Sequence, residues 1–160
     1  MELIQQVVIP AAVPQVWQAL NDPDVLKQSL MGCESFTENA SGSYDIVLLA
    51  KVGPVKARFA GEVTLSDIVE EQSYTLSGGG KGGVAGHAKG SASVCLIALE
   101  NGHTTMRYSV QASVGGKIAQ LGSRLVDGAA RKMAKEFFTK FIRVLCEDES
   151  IEVTLETITG

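Results

Sequence analysis

The stretch VGGKIAQLGSRLVDGAARKMAKEFFTKFIRVLC, residues Val114 to Cys146, decides how this chain folds. Within it Ile118, Leu121, Leu125, Ala129, Met133, Phe137, Phe141 and Leu145 return every three or four positions, which makes one apolar stripe at helical period. Uninterrupted, such a helix runs for about 45 Å. A stripe of that length must be buried against something large, and upstream only the strand-rich segment from Cys33 to Ser113 offers it. A long helix lying on a sheet is the expectation.

Working back from that helix, Glu2 to Ile9 has the length and branched content of a strand that Pro10 ends. Pro14 suits a first helical turn, and Val16, Trp17 and Leu20 make a short amphipathic helix. Asp22 caps a second short helix carrying Val25, Leu26 and Leu30, and Gly32 stops it. Turn signals then recur at Asn39 to Gly42, Gly53-Pro54, Asp67 to Glu71, Lys81 to Gly83, Asn101-Gly102 and Gly115-Gly116. Six strands fit between them. The reading is an α+β fold: a seven-stranded curved antiparallel sheet wrapped on the long helix, in one domain over residues 1–146. Residues 147–160 form an acidic tail in which Ile151, Val153 and Leu155 alternate with polar residues. That tail either pairs with a strand edge, its own or a second copy's in a weak homodimer, or is disordered.

Alternation identifies the buried faces. Val55, Ala57, Phe59, Gly61, Val63 and Leu65 share one face of a strand whose other face carries Lys56, Arg58, Glu62 and Thr64. In the last strand Met106, Tyr108, Val110, Ala112 and Val114 alternate in the same way with polar residues. Many inward positions are tiny: Ala57, Gly61, Gly86, Ala88, Gly90, Ala92 and Ala112. So sparse a lining either leaves a cavity beneath the helix or lets helix and sheet approach closely, with the glycines marking bends. The cavity reading places Phe59, Tyr74, Leu76, Met106, Tyr108, Leu121 and Leu125 around a ligand.

In an up-and-down meander the turns alternate between two ends of the sheet. One end gathers Gly53, Pro54, Lys81, Gly82, Gly115, Gly116 and Lys117, with Lys51 and Lys56 close by, and is the expected cavity mouth. The other gathers Glu38, Asp67, Glu70, Glu71 and Glu100. Charge is also divided along the chain. Gly116 to Leu145 carries seven cations against two carboxylates, a net +5 in a protein of net −4. Arg124, Arg131, Lys132 and Lys135 either form a surface for an acidic partner or an anionic membrane, or simply solvate the helix.

At 160 residues and 45% hydrophobic, the chain has material for a real core. Cys33, Cys95 and Cys146 are odd in number and widely spaced, so neither disulfides nor a zinc knuckle is indicated. No secretory leader and no apolar run of membrane-spanning length is present, and a soluble cytoplasmic protein is expected. Nucleic acid is disfavoured by the acidic balance and the lack of aromatics among the basic residues. Gly78, Gly80 and Gly83 match a dinucleotide fingerprint in spacing alone, since a strand follows where a helix is needed. His87, His103 and Cys95 fit no recurring metal spacing, and no nucleophile elbow surrounds a serine. No catalytic residue, metal or cofactor is expected.

Four ordered segments carry a resemblance: NDPDVLKQSLMGCE (Asn21 to Glu34), VGPVKARFAGEV (Val52 to Val63), GGGKGGVAGHAKGSA (Gly78 to Ala92) and VGGKIAQLGSRLVDGAARKMAKEFF (Val114 to Phe138). Over about residues 1 to 146 the chain resembles the family of the carbon monoxide dehydrogenase G-subunit, within the START-like, birch-pollen-allergen-like helix-grip superfamily. Met31 stands before Gly32 where that family commonly has proline. The resemblance implies an accessory protein that carries an apolar molecule such as a lipid or quinone, and that helps recruit a molybdenum-containing hydroxylase to the inner face of the membrane. Many relatives carry a C-terminal anchor, which is not expected of a sequence ending at Gly160. The alternatives are an enzyme using the same cavity for hydrolysis or cyclisation, and a structural adaptor with a packed interior.

Overall fold

Turns at regular intervals build a meander, and the chain's first strand closes it. The computed structural model describes residues 1–158. β1 (Glu2–Ile9) leads into α1 (Val13–Leu20) and α2 (Pro23–Ser29), followed by β2 (Cys33–Glu38), β3 (Tyr44–Val52), β4 (Val55–Val69), β5 (Ser73–Lys81), β6 (His87–Ala98) and β7 (Thr104–Gly115). Helix α3 (Ser123–Cys146) and a two-residue strand β8 (Glu156–Thr157) complete the order. The strands form one antiparallel sheet, β2-β3-β4-β5-β6-β7-β1-β8. Its strand count is eight, not seven, because the tail adds β8 along β1 through Gln5 and Gln6. Of the alternatives for the tail, pairing with the chain's own edge is the one seen, over two residues of β1.

The long helix starts later than its stripe suggests. β7 runs to Gly115, a 3₁₀ turn follows at Ala119–Leu121, and Gly122 holds φ +92°, a conformation that side-chain-bearing residues rarely adopt. Only from Ser123 does the backbone wind regularly, for 24 residues. Ile118 is buried ahead of the helix, and Leu121 belongs to the 3₁₀ turn.

The core sits at one end of the sheet. Phe138, Phe141 and Ile142 of α3 and Val16, Ala19 and Leu20 of α1 pack with Val7, Ile9, Tyr74, Val94, Met106 and Tyr108. Tyr108 stacks on Phe138 with ring centroids 4.9 Å apart and donates its hydroxyl to Gln5 Oε1 at 2.6 Å. Trp17 meets Tyr74 edge-on at 5.6 Å. α2 begins as its sequence indicates, with the Asp22 carboxylate accepting the Asp24 N–H at 3.0 Å. In the tail Val153 is buried, while Ile151 and Leu155 pack against the same core. Arg143 Nε donates to the Ile151 carbonyl at 3.0 Å, and Lys140 lies 3.8 Å from Glu149.

At the opposite sheet edge a bulge between Cys33 and Ser35 is tied down by Arg58, which grips Glu34 through three hydrogen bonds of 2.9–3.0 Å. Those hydrogen bonds hold the Glu34 carboxyl below the usual carboxylate range. A carboxylate depressed in the folded state stabilises it above the unfolded pKa, and the contribution disappears as pH falls through the folded value. Acidification from about pH 5 to about pH 2 is therefore expected to loosen β2. Glu34→Gln should flatten that pH dependence, read by nuclear magnetic resonance of the β2 amides. The effect is small, since both side chains are solvent-exposed.

Candidate functional site: a hollow between helix and sheet

The sheet's inner face divides into a full half and an empty half. Strand register aligns Leu96, Met106 and Val7 in one row and Tyr74, Val94, Tyr108 and Gln5 in the next, all of good size. A middle row holds Leu65, Leu76, Ala92, Val110 and Leu3. Beyond it the middle of each row is bare: Tyr44, Val63, Gly78, Gly90 and Ala112 make one row, and Ile46, Gly61, Gly80, Ala88 and Val114 the next. The backbone there leaves no room for larger residues. A Cβ on Gly61 would run into the carbonyl oxygen of Gly79. The small residues thus lie where neighbouring strands approach closely, with unfilled space rather than a closely packed helix above them.

Helix α3 has the same polarity. Its second half brings Phe137, Phe138, Phe141 and Ile142 onto the full rows, and its first half brings Val126, Ala129, Ala130 and Met133 over the empty ones. A hollow of about 1020 Å³ remains between them. Its walls are mainly carbon, from Ile46, Leu48, Val52, Phe59, Leu76 and Val110 on the sheet and from those helix residues above. A space of this size and lining matches a small-molecule site, at the upper end of the usual ~300–1,000 Å³.

Of the seven residues expected around a ligand, Phe59 and Leu76 line the hollow. Tyr74, Met106 and Tyr108 do not; they are buried in the packed core, because the phenylalanines of α3 land on their rows. Leu121 and Leu125 lie at the rim, where their Cδ1 atoms come within 3.9 and 3.6 Å of a Cβ built on Gly53. Sequence reasoning overlooked Ile46, Leu48, Ala50 and Val52 of β3. Residues 46–50 are apolar throughout, so polarity carried no signal for which face of β3 turns inward.

Three loops meet at the end where the hollow reaches solvent. Leu121 and Leu125 lie near Gly53, the Ile118 N–H donates to the Ala85 carbonyl at 2.9 Å, and Gly86 lies against Gly115 and Gly116. Gly82 packs on the Phe59 ring. Ala119 and Gly122 line the hollow and are themselves exposed. Gly53, Pro54, Lys81, Gly82, Gly115, Gly116 and Lys117 therefore do share one end of the molecule. On α3, Arg124 and Lys135 are exposed, Arg131 reaches Thr157 Oγ1 at 3.3 Å, and Lys132 is 4.0 Å from Glu136.

Titratable groups near the hollow are few. Burial pushes the phenols of Tyr74 and Tyr108 well up, so both stay protonated at neutral pH as core residues. The Cys33 thiol is also raised, its burial outweighing the nearby Lys27. Ser123 and Asp127, one turn apart on α3, are polar groups on the hollow's helical wall. His87 opens β6 at the rim, whereas His103 lies at the far end of the sheet beside Asn101, so they and Cys95 do not converge. Among the described residues no cluster of three or more His, Cys, Asp or Glu is placed to hold a metal ion, and no helix is long and apolar enough to cross a membrane.

A curved antiparallel sheet gripping a long C-terminal helix, with two short helices after the first strand, defines the START-like helix-grip fold. A START superfamily protein from Mycobacterium smegmatis shares it at a TM-score of 0.67 and 10% identity, over 91% of this chain and 97% of that one. So does the ZhuI aromatase/cyclase from Streptomyces sp. R1128, at 0.65 and 11% over 92% and 94%. A conserved protein from Geobacillus kaustophilus is nearer, with a TM-score of 0.88 and 25% identity over 98% of this chain and 99% of its own. No curated protein matches significantly in sequence. The family model for the carbon monoxide dehydrogenase G-subunit (CoxG) matches residues 6–146, and the chain belongs to that family.

Proposed function

We propose that this protein is a non-enzymatic accessory protein that holds an apolar ligand, a lipid or quinone-like molecule, in the hollow beneath α3 and helps bring a molybdenum-containing carbon monoxide dehydrogenase-type enzyme to the membrane. The observation that carries the reading is the pairing of empty sheet rows with the small-residue half of the helix, which leaves a largely carbon-lined space inside an otherwise packed domain. Family membership supports the accessory role. Arg124, Arg131, Lys132 and Lys135 on the outer side of α3 are the surface assigned to the partner enzyme. A catalytic use of the hollow would need an acid or base poised against a guest; Tyr74 and Tyr108, whose hydroxyls could have served, belong to the core, which leaves Asp127 on the helical wall as the carboxylate to substitute in testing that alternative.

Native mass spectrometry of protein purified without detergent tests this reading. A retained small molecule, released on unfolding and extractable into organic solvent, is expected. A mass equal to the bare chain, with no uptake of added ubiquinone or phospholipid, would contradict it.

A further inference from the structure

The rim has a charge pattern that the carrier reading alone does not require. Residues 51–61, 73–99 and 101–126 contain no aspartate or glutamate, although the chain as a whole is acidic. These segments supply all three rim loops. Lys51, Lys56, Lys81 and Lys117 are exposed there, and among the described residues none of them forms an ion pair.

The same end of the molecule carries an apolar tip. Val84, in the β5–β6 loop, is 93% exposed, and Pro54 and Leu125 are exposed on the neighbouring segments, Leu125 at 46%. A valine so free of contacts does nothing for the fold. On a soluble rim it would be an unexplained apolar exposure; at a bilayer it becomes a side chain with somewhere to go. The loop beneath it is anchored through the bond from Ile118 to Ala85 and through Ala85's own burial, so the tip is presented firmly.

We infer that this rim is a docking surface for anionic lipid bilayers, with Val84, Pro54 and Leu125 entering the interface and the four lysines meeting headgroup phosphates. The inference deepens the carrier reading and rests on it: an apolar guest stored in lipid must leave it through a mouth held against the membrane. The rim meets the bilayer with the hollow opening between its loops at Ala119 and Gly122. A protein partner would satisfy the lysines, but an apolar tip at the same end of the molecule as unpaired cations, beside the entrance to a carbon-lined hollow, fits a lipid interface better. Each lysine near an anionic membrane contributes about 1 kcal/mol, roughly a fivefold change in partitioning, within a Debye length of about 8 Å at physiological salt.

Co-sedimentation with phosphatidylcholine vesicles, with and without phosphatidylglycerol, tests the proposal on the full chain. Binding is expected to require phosphatidylglycerol and to fade in high salt. It should fall at least about tenfold in Lys81→Glu/Lys117→Glu, where two favourable charges are reversed. Val84→Asp, at a position without packing, should weaken it while leaving thermal unfolding unchanged. Lys132→Glu/Lys135→Glu on the outer side of α3 should bind as the parent does. Absence of binding to phosphatidylglycerol vesicles at low salt would overturn the proposal, as would full binding by the rim variants. Capture of polyglutamate in place of vesicles through the same lysines would also overturn it, by assigning the rim to a protein. The carrier reading is followed separately, as uptake of N-phenyl-1-naphthylamine in vesicle-free buffer. Rim variants should keep that uptake, so vesicle binding without uptake would count against the carrier and not against the rim.

Discussion

Filling the hollow with side chains is expected to eliminate guest binding at no cost to the fold. Ala92 lies between Leu76 and Val110 on the sheet, and Ala129 lines the same hollow from α3. In Ala92→Phe/Ala129→Phe two aromatic rings would occupy space that no protein atom fills. A phenylalanine forced into a full core typically costs about 1–3 kcal/mol. Here the rings displace a guest or solvent, and burying each contributes in the favourable direction, by up to about 1.5–3 kcal/mol. The melting temperature should hold or rise. Affinity for N-phenyl-1-naphthylamine should fall at least about tenfold, which is about 1.4 kcal/mol of lost binding. If the interior were close-packed, the same variant would melt lower, by about 2–4 °C for each kcal/mol in a chain of this size.

The opposite response is expected one half-helix away. Phe141 is fully buried, lies 5.7 Å from the ring of Phe137, and is the largest completely enclosed side chain of the core. Phe141→Ala should cost about 3–5 kcal/mol, because the cavity it leaves is walled by residues already committed to neighbours. Against a typical total of about 5–15 kcal/mol, that is a large share. Met133, on the same stripe eight residues earlier, is 39% exposed and borders the hollow. Met133→Ala should cost less than about 1 kcal/mol, below the ~2–5 kcal/mol usual for a buried methionine. Urea denaturation of the two variants reads the difference directly as a shift in midpoint. Equal losses would mean that the helix is uniformly packed and that its two halves do not differ in role.

The contrast between Phe141 and Met133 also marks where sequence patterns stop carrying information. Period-two alternation in β4 and β7 identified which face of each strand is buried, because the pleat fixes that choice locally. It could not say how far along the strands the core extends. Tyr74, Met106 and Tyr108 share a face with Gly78, Gly90 and Ala112, and only the landing point of the α3 phenylalanines separates full rows from empty ones. That is a tertiary fact. The start of α3 was obscured for a different reason: Ile118 and Leu121 continue the three-or-four-residue spacing through a segment whose backbone Gly122 breaks. The rim was legible, since antiparallel order alone decides which turns share an end. β8 was legible only as an alternative, as two residues of pairing leave little trace in a sequence. The apolar exposure of Val84 had no sequence signature at all, lying in a glycine loop that reads simply as a turn.

Everything proposed for the hollow depends on a guest occupying the space above Gly61, Gly78 and Gly90. Electron density from crystals of the protein purified without detergent and equilibrated with ubiquinone tests this most directly. Continuous density for a bound apolar molecule between these glycines and Ala129, Ala130 and Met133 is the predicted result. A hollow filled by ordered water, or α3 settled onto the sheet with the space closed, would contradict it.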